Sequence, residues 1–577
     1  MRLRYVLAFL LPILIFFILD QSLGREYYSF PNDNTSGQFG LAQNLFHGQF
    51  DIGYNHPAFF LILLQSLVAL PVLGNETLDA FYWMGIGLNI GFAIIASLLV
   101  ALFSNILRLP LYIPVMLSLT AISMPTVAAL APQIAIYSPL GILSPALALG
   151  LYVIVTSATN RQWVNAVVLA LFGFFLANLF LVIPMIIGAA AGFVWLAYRE
   201  GLDPFLSRLS PAPETRSWPK IGGLLAILII LSWNVLDIIR HATGLMVRES
   251  LTWLATVMAA LIVLYLILRI TVVWRAWWAL LAPTAISWII SCNFFVLYWG
   301  RTAFGKMRNK GGSDTDPGRS FSEITETSDY WGFLTAWSWH WLPIVCIIFS
   351  VLILAENLKR KKDTTQAVFA VIFVVLSLFL TFVIVAGIIF HAPSDSPTAY
   401  GMMSRFITMS VIVVAFVIVM IEHSPSKFLR FGGLATVLMI VGLAFGDYVS
   451  AARTVMPIFN ELENELQRAV DTHLVKDPRN NVICLRSEQP RPCATLYGFN
   501  NYRLEKSKAA FQKLSLRDGR ISYAKNFAKA CPDLLLCDSS TLFIGSPPNN
   551  IPDNKKIRPV VHEPLASNIA AFKLAPR

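Results

Sequence analysis

Long apolar runs recur along the chain from its N-terminus to about Tyr448 and are separated by polar stretches. A helix of about 20 apolar residues spans a hydrocarbon core of roughly 30 Å, and most of these runs approach or reach that length. The pattern therefore predicts about 13 membrane-spanning helices. Their predicted positions are residues 5–22, 80–104, 110–124, 139–157, 163–179, 181–198, 220–239, 251–271, 276–298, 341–356, 366–390, 404–421 and 432–448.

The pattern changes after the last of these runs. A segment that begins at Thr454 spaces its apolar residues as an amphipathic helix does, and short alternating runs typical of strands follow it. These runs cover residues 481–485, 494–499 and 539–545. The sequence thus predicts a polytopic α-helical membrane domain, residues 1–448, followed by a small α+β domain, residues 449–577.

Composition agrees with a membrane location. Of the 577 residues, 56% are hydrophobic and only 13% are charged, whereas soluble domains carry about 25% charged residues. Arg2 and Arg4 precede the first apolar run, as in a signal peptide, but no small-x-small cleavage site follows, so the run is interpreted as a retained first span. The net charge of +11 fits cytoplasmic loops rich in arginine and lysine rather than a nucleic-acid partner.

Alternation from a cytoplasmic N-terminus places at least one arginine or lysine in every inside segment. This agreement requires that the apolar run 58–73, which contains Pro71, lies along the membrane surface as an interfacial helix and does not cross. The outer face then receives the loops 23–79 and 299–340 and the C-terminal domain. Any chemistry is expected there. No phosphate-binding motif for ATP occurs in the chain.

Four cysteines cluster in the C-terminal domain, and two others, Cys292 and Cys346, lie in predicted spans. Clustered cysteines in an exported domain favour two disulfides, and we expect the neighbours in sequence to pair, although four cysteines allow three connectivities. A zinc site is the alternative, but neither pair has the usual ligand spacing. The expected pairs are Cys484–Cys493 and Cys531–Cys537.

The first outer loop holds the most specific motif in the chain. Asp33 follows soon after the first span and resembles a helix N-cap; an apolar stripe at helical spacing comes next and ends at Gly48. His56-Pro57 then precedes the interfacial helix. An acid, a juxtamembrane helix and His-Pro in this order resemble the first loop of the GT-C glycosyltransferases, including protein mannosyltransferases, aminoarabinose transferases and arabinosyltransferases. Many members carry a second acid beside the first, where this chain has Asn34.

The resemblance implies an outer-face enzyme that takes a sugar from a polyprenyl-phosphate carrier. Such a transfer needs a base for the acceptor proton and cations for the phosphate that leaves. Asp33 is the candidate base, with His56 to orient it or to bind the acceptor; an N-cap and a solvated histidine are the structural alternatives. Candidate phosphate ligands are Arg301, Lys306, Arg308 and Arg319 in the second outer loop and Arg405 at the start of a late span.

Other roles for these cations are contact with lipid headgroups and, for Arg405, snorkelling to the interface. The acceptor is expected to be a cell-envelope glycan or lipid, and the membrane a bacterial-type inner (plasma) membrane. The sequence specifies no metal site and no cofactor and leaves a divalent cation open. A lipid-linked-glycan transporter or flippase, or a non-catalytic polysaccharide-assembly protein, is the alternative function. Transport is less favoured because the charged residues near the spans lie at span ends.

Overall fold

The structure is a computed structural model of the 577-residue chain. It describes residues 2–25, 78–130, 137–159, 161–178, 183–209, 280–288, 290–291, 337–361, 364–391, 410–485, 521–524, 540–545, 555–562 and 569–576.

Most of the described residues are helical. The helices are α1 Arg2–Ser22, α2 Leu78–Leu107, α3 Tyr112–Ile122, α4 Pro125–Leu130, α5 Tyr137–Thr156, α6 Gln162–Asn178, α7 Ile183–Glu200, α8 Leu202–Leu209, α9 Ala282–Trp288, α10 Leu342–Lys359, α11 Thr365–His391, α12 Ser410–Glu422 and α13 Lys427–Lys476. A 3-10 helix, Ser338–Trp341, leads into α10.

Six helices in the described part of the chain are long and apolar enough to cross a membrane, as expected for a membrane protein. These are α1, α2, α5, the 3-10 helix with α10, α11 and α13. Each predicted span whose residues are described coincides with a helix. The predicted spans 220–239 and 251–271 and the interfacial helix 58–73 lie outside the described residues, and the predicted span 276–298 is described only in part.

The centre of the bundle is formed by α5 and α12. Every residue of α12 from Ser410 to Ile421 is buried, and the helix carries apolar residues on all its sides. A helix that is hydrophobic all round belongs in the interior of a bundle. By contrast, α1 leaves Leu3, Leu7 and Ile18 largely exposed, which is the expected arrangement for a helix at the lipid boundary.

Small residues allow α7 and α11 to pack closely. A Cβ placed on Gly188 would meet the Ser377 side chain and, at 2.9 Å, the Phe373 carbonyl oxygen; one placed on Gly192 would meet the Phe369 ring. The two glycines form a Gly-x-x-x-Gly motif on one face of α7, which lets helix backbones approach in a membrane. This contact therefore depends on the absence of side chains at both glycines.

The helix ends gather at two faces of the bundle. At one end, which we call the Glu422 face, the Tyr112 hydroxyl donates to Glu422 Oε2 at 2.6 Å, and the Tyr5 hydroxyl donates to the Leu109 carbonyl at 2.6 Å. The connectors there, such as those after α2, α10 and α12, are short. The opposite end, the Asp20 face, is where the segment 26–77 begins and the segment 292–336 ends.

Beyond the Asp20 face, α13 leads to a five-stranded sheet with the strand order β2-β1-β3-β5-β4. The strands are β1 Asn481–Leu485, β2 Ile521–Ala524, β3 Thr541–Ile544, β4 Lys555–His562 and β5 Ile569–Pro576. The pairs β1–β2 and β1–β3 are parallel, whereas β3–β5 and β4–β5 are antiparallel. The predicted run 481–485 is therefore β1, the run 539–545 contains β3, and 494–499 lies outside the described residues.

One face of the sheet packs on the last part of α13. The apolar stripe Leu462, Leu466, Val470 and Leu474 repeats every four residues and forms a second hydrophobic core with side chains of β1, β3, β4 and β5. On the other face of the sheet, Phe543 and Phe572 stack with ring centroids 5.3 Å apart.

The helix α13 is continuous for 50 residues and passes the boundary predicted at residue 448 without a break. At 1.5 Å per residue it is about 75 Å long, more than twice the roughly 30 Å of a hydrocarbon core. Its first half therefore suffices to cross a membrane, and its second half carries the sheet. The membrane part and the C-terminal part of the chain share one helix.

Candidate functional site

A buried ion pair closes the end of α1. The helix stops at Gly24, whose φ of 78° lies in the left-handed region that glycine adopts readily, and the Gly24 N–H donates to the Gln21 carbonyl at 3.1 Å. This turn returns the chain so that Arg25 Nη1 lies 3.9 Å from Asp20 Oδ1. The two side chains are 0% and 1% exposed, so water does not screen their interaction.

Other helices complete the partners of this pair. The Tyr448 hydroxyl, on α13, donates to Asp20 Oδ1, and Arg25 Nη1 donates to the Tyr448 oxygen at 3.1 Å. Arg25 Nη2 donates to the carbonyl of Ala129 in α4. A buried charge is tolerated where it is paired and hydrogen-bonded. The cluster therefore fixes the start of the first predicted outer loop to the middle of α13.

Asp447, the residue before Tyr448 on α13, holds the other large loop. The Ser338 N–H donates to Asp447 Oδ2 at 2.7 Å, and the fully buried Trp339 donates from Nε1 to the Thr120 carbonyl at 3.1 Å. Ser338 lies two residues after the segment 292–336 ends. Two consecutive residues of α13 thus anchor the start of the outer loop 23–79 and the end of the outer loop 299–340.

Asp20 Oδ2 and the hydroxyl of Tyr82, in the first turns of α2, are buried without a hydrogen-bond partner among the described residues. Tyr82 is 5% exposed and Asp20 is 2% exposed. An unsatisfied buried polar atom costs about 1–3 kcal/mol, so each can gain a hydrogen bond from a ligand hydroxyl or a water molecule.

An apolar groove leads to the cluster along the bundle side. Its volume is about 490 Å³, within the range of roughly 300–1,000 Å³ typical of small-molecule sites. Side chains of α1, α3 and α13 line it, among them Leu11, Ile15, Leu119 and Phe445, and Asp20 lies at its end. The wall is almost entirely apolar, and it includes side chains of α1 that are exposed at the lipid boundary. A hydrocarbon chain fits this environment, and a polar solute does not.

The residues predicted from sequence to act on a substrate are not among those the structure describes. They are Asp33, His56, Arg301, Lys306, Arg308, Arg319 and Arg405. Arg25, however, is eight residues before Asp33, which limits their separation to about 28 Å. Arg405 is five residues before the start of α12.

The predicted disulfides stay predictions. Cys484 lies on β1, whereas Cys493, Cys531 and Cys537 lie outside the described residues. Cys346, expected to be a packing residue, is a buried free cysteine of α10. Within the described ranges, no three His, Cys, Asp or Glu side chains are grouped so that they could hold a metal ion.

The ion-pair cluster was not predicted from the sequence. From the sequence, Asp20 is only one of the charged residues expected at span ends, and no prediction includes Arg25. The signal available was an acid in the last turn of an apolar run with a glycine and an arginine close behind it. Tyr448 is 428 residues from Asp20, and no local pattern links them.

Comparison of the chain with protein-family models, curated proteins and solved structures finds no match. The function therefore has to be inferred from the groove, the cluster and the chemistry of the adjoining loops. The resemblance of the first loop to GT-C enzymes stays a prediction.

Proposed function

We propose that this protein is a membrane glycosyltransferase of the GT-C type, which moves a sugar from a polyprenyl-phosphate donor to a cell-envelope glycan or lipid. The observation that carries the proposal is the shared anchor on α13. Tyr448 holds the start of the loop with the candidate base, and Asp447 holds the end of the loop with most of the candidate phosphate ligands. Catalysis needs these two kinds of group at one place.

The groove supports a lipid-linked donor. Its apolar wall suits a polyprenyl chain, and its end at Asp20 places the polar end of such a molecule at the level where both loops attach. Asp20, which lines the groove, has its Oδ2 without a hydrogen-bond partner among the described residues. A donor bound in this way presents its phosphate and sugar to the Asp20 face.

The chemistry requires few groups. The acceptor hydroxyl oxygen attacks the anomeric carbon of the sugar, the bond between that carbon and the phosphate oxygen breaks, and polyprenyl phosphate leaves. Asp33 takes the acceptor proton, with His56 beside it. Arg301, Lys306, Arg308, Arg319 and Arg405 are the proposed cations that stabilise the charge on the leaving phosphate. A phosphate leaving group is a weak base, so no strong general acid is required.

The proposal also assigns the two faces. The short connectors of the Glu422 face carry Arg108 and Arg360, and α13 begins there with Lys427, which favours a cytoplasmic location under the positive-inside rule. The Asp20 face and the C-terminal sheet would then be extracytoplasmic, at a bacterial-type inner membrane. Labelling of the C-terminal sheet from the cytoplasm in intact cells would contradict this assignment.

A matched pair of substitutions tests the groove. Ile15 lines the groove and is 45% exposed, whereas Ile18, one turn further along α1, is 70% exposed and does not line it. Ile15→Trp should fill the groove and weaken donor binding about tenfold, or about 1.4 kcal/mol. Ile18→Trp should leave binding unchanged, because its indole faces lipid.

The measurement uses purified protein in nanodiscs, a polyprenyl-phosphate sugar carrying a photoreactive lipid tail, and detection of crosslinked peptides by mass spectrometry. Asp33→Asn should abolish sugar transfer and retain donor crosslinking to α1, because the base acts after binding. Thermal unfolding of each variant controls for misfolding. Equal crosslinking of the Ile15→Trp and Ile18→Trp proteins would refute the groove, and full transfer by the Asp33→Asn protein would refute the base.

The alternative of a transporter or flippase makes a different prediction in the same preparation. Such a protein would move the lipid-linked sugar between leaflets without breaking its bond to phosphate. Transbilayer movement that persists in the Asp33→Asn protein, without any sugar transfer by the unaltered protein, would favour the alternative.

A further inference from the structure

A second polar site lies on the C-terminal sheet, on the side that packs against α13. Arg558 on β4 and Lys573 on β5 are directly opposite each other in the antiparallel ladder. Residues paired in this way share a face of the sheet, and Ala571, two residues before Lys573, packs in the core formed with α13. Both cations are therefore on the helix side of the sheet.

A histidine of α13 holds Lys573 in place. Lys573 Nζ lies 2.7 Å from His473 Nδ1, and His473 Nε2 lies 2.8 Å and 3.0 Å from the carbonyl oxygens of Ser540 and Asn481. Carbonyls only accept hydrogen bonds, so Nε2 carries the proton and Nδ1 accepts from the ammonium. The imidazole is thus neutral, and within the described residues it accepts from one of the three N–H donors of Lys573.

More cations surround Lys573. Lys476 ends α13, and Lys556 lies two residues before Arg558 on the same face of β4. We call Lys476, Lys556, Arg558 and Lys573 the Lys573 cluster. Partial burial, followed by the charges of Lys476 and Arg558, holds the pKa of the Lys573 ammonium below its usual value of 10.5.

Structural roles account for only part of this cluster. A lysine at a helix C-terminus stabilises the helix dipole, and a lysine on an edge strand opposes aggregation, which covers Lys476 and Lys556. Arg558 also lies on the edge strand β4, but that role does not require a second cation opposite it. Like charges directly opposite in a ladder are destabilising, and Lys573, on the interior strand β5, has neither explanation. No carboxylate among the described residues forms an ion pair with either side chain.

We infer that the Lys573 cluster is a binding site for the phosphoryl group of a water-borne ligand. The charges of Lys476 and Arg558 both act on Lys573. Lysine and arginine are the usual protein partners of phosphate oxygens, and His473 holds the Lys573 ammonium through one of its three N–H donors. A bound dianion removes the repulsion between Arg558 and Lys573. The inference does not rest on the proposed glycosyl transfer.

The position of the cluster argues for a soluble or polymer-borne phosphate rather than a lipid headgroup. Lys476 is 28 residues beyond Tyr448, about 42 Å along an α-helix. The Debye length at physiological ionic strength is about 8 Å. A headgroup at the level of Tyr448 is therefore too far away to neutralise the cluster.

The test uses the full-length protein in nanodiscs of phosphatidylcholine, with inorganic pyrophosphate as the probe and calorimetry as the readout. Lys573→Met and Arg558→Gln should each weaken pyrophosphate binding about tenfold or more, and Lys573→Arg should restore most of it. The control is Arg453→Gln, which removes one exposed cation of α13 about 30 Å from His473 along the helix. It should change binding less than about twofold.

Amine-reactive labelling keeps the proposal testable if a variant misfolds. In the unaltered protein, pyrophosphate should protect Lys573 from labelling and leave the labelling of exposed lysines such as Lys427 unchanged. Absence of binding and of protection, or equal weakening by Arg453→Gln, would overturn the site. Protection of Lys573 that instead requires nanodiscs with phosphatidylglycerol, without added pyrophosphate, would overturn the water-borne source.

Discussion

The ion pair at the end of α1 gives the sharpest prediction about stability. Arg25→Met removes a guanidinium that contacts Asp20, Tyr448 and the Ala129 carbonyl, and it leaves the Asp20 carboxylate buried without its countercharge. Breaking one partner of a buried pair costs about 3–5 kcal/mol. We expect the free energy of unfolding of the Arg25→Met protein to fall by that amount.

The chain offers an exposed pair as a control. Arg360 Nε lies 2.6 Å from Glu356 Oε1 one turn apart on α10, with side chains 44% and 22% exposed. Pairs of this kind contribute about 0.3–0.5 kcal/mol. Arg360→Met should therefore lower the free energy of unfolding several-fold less than Arg25→Met. The Arg360–Glu356 distance is shorter than the Arg25–Asp20 distance, but water already screens the exposed pair.

Replacement of both buried partners completes the cycle. Asp20→Asn with Arg25→Met removes both charges, so the double variant should be more stable than the sum of the single losses predicts, by about 2–3 kcal/mol. The assay is reversible unfolding in mixed micelles by added dodecyl sulfate, followed by tryptophan fluorescence. Equal losses for Arg25→Met and Arg360→Met, or simple additivity of the two buried changes, would refute the reasoning.

Three further outcomes are expected. Gly188→Ala should lower the free energy of unfolding by about 1–3 kcal/mol, because the new Cβ meets α11. Gly91→Ala, at an open helical position, should raise it by up to about 1 kcal/mol. A comparable effect of both substitutions would contradict the close packing of α7 on α11. His473→Leu should speed hydrogen exchange in β1 and β3, because it removes a donor to the carbonyls of Asn481 and Ser540, at a cost of about 1–3 kcal/mol. Val475→Ala, at an exposed position, should not. Phosphate binding should weaken below about pH 6, where phosphate loses its second charge. It should weaken again at alkaline pH, because the pKa of Lys573 is below that of an ordinary lysine. An unchanged alkaline decrease in the pH profile of Lys573→Arg would assign that decrease to another group.

Much of the membrane part could be predicted because a span leaves a local signal. A run of about 20 apolar residues is readable without any partner, and the helices Leu78–Leu107 and Tyr137–Thr156 match predicted spans to within a few residues. The Gly188–Gly192 motif is equally readable from the sequence. The boundary at 448 marks where apolar residues end, whereas the helix continues because its amphipathic stripe continues.

The ion-pair cluster and the Lys573 cluster are harder to predict because the residues of each are distant in sequence. The ladder position of Arg558 opposite Lys573, and the approach of His473 to Lys573, depend on strand register and on how α13 meets the sheet. The order of residues along the chain does not encode either contact in a local pattern. The first-loop motif around Asp33 was visible for the opposite reason, since it lies within one short segment.

The unbroken α13 makes the C-terminal sheet a mechanical extension of the bundle. The contacts of Asp447 and Tyr448 fix α13 to the bundle, and the helix ends about 42 Å further on, where the sheet packs on it. If α13 tilts by about 10° at these contacts, the sheet moves by about 7 Å. A small change in the contacts of Asp447 and Tyr448 is thus amplified into a larger displacement of the C-terminal sheet. Fluorophores on β4 and on α1 would report this displacement as a change in their separation.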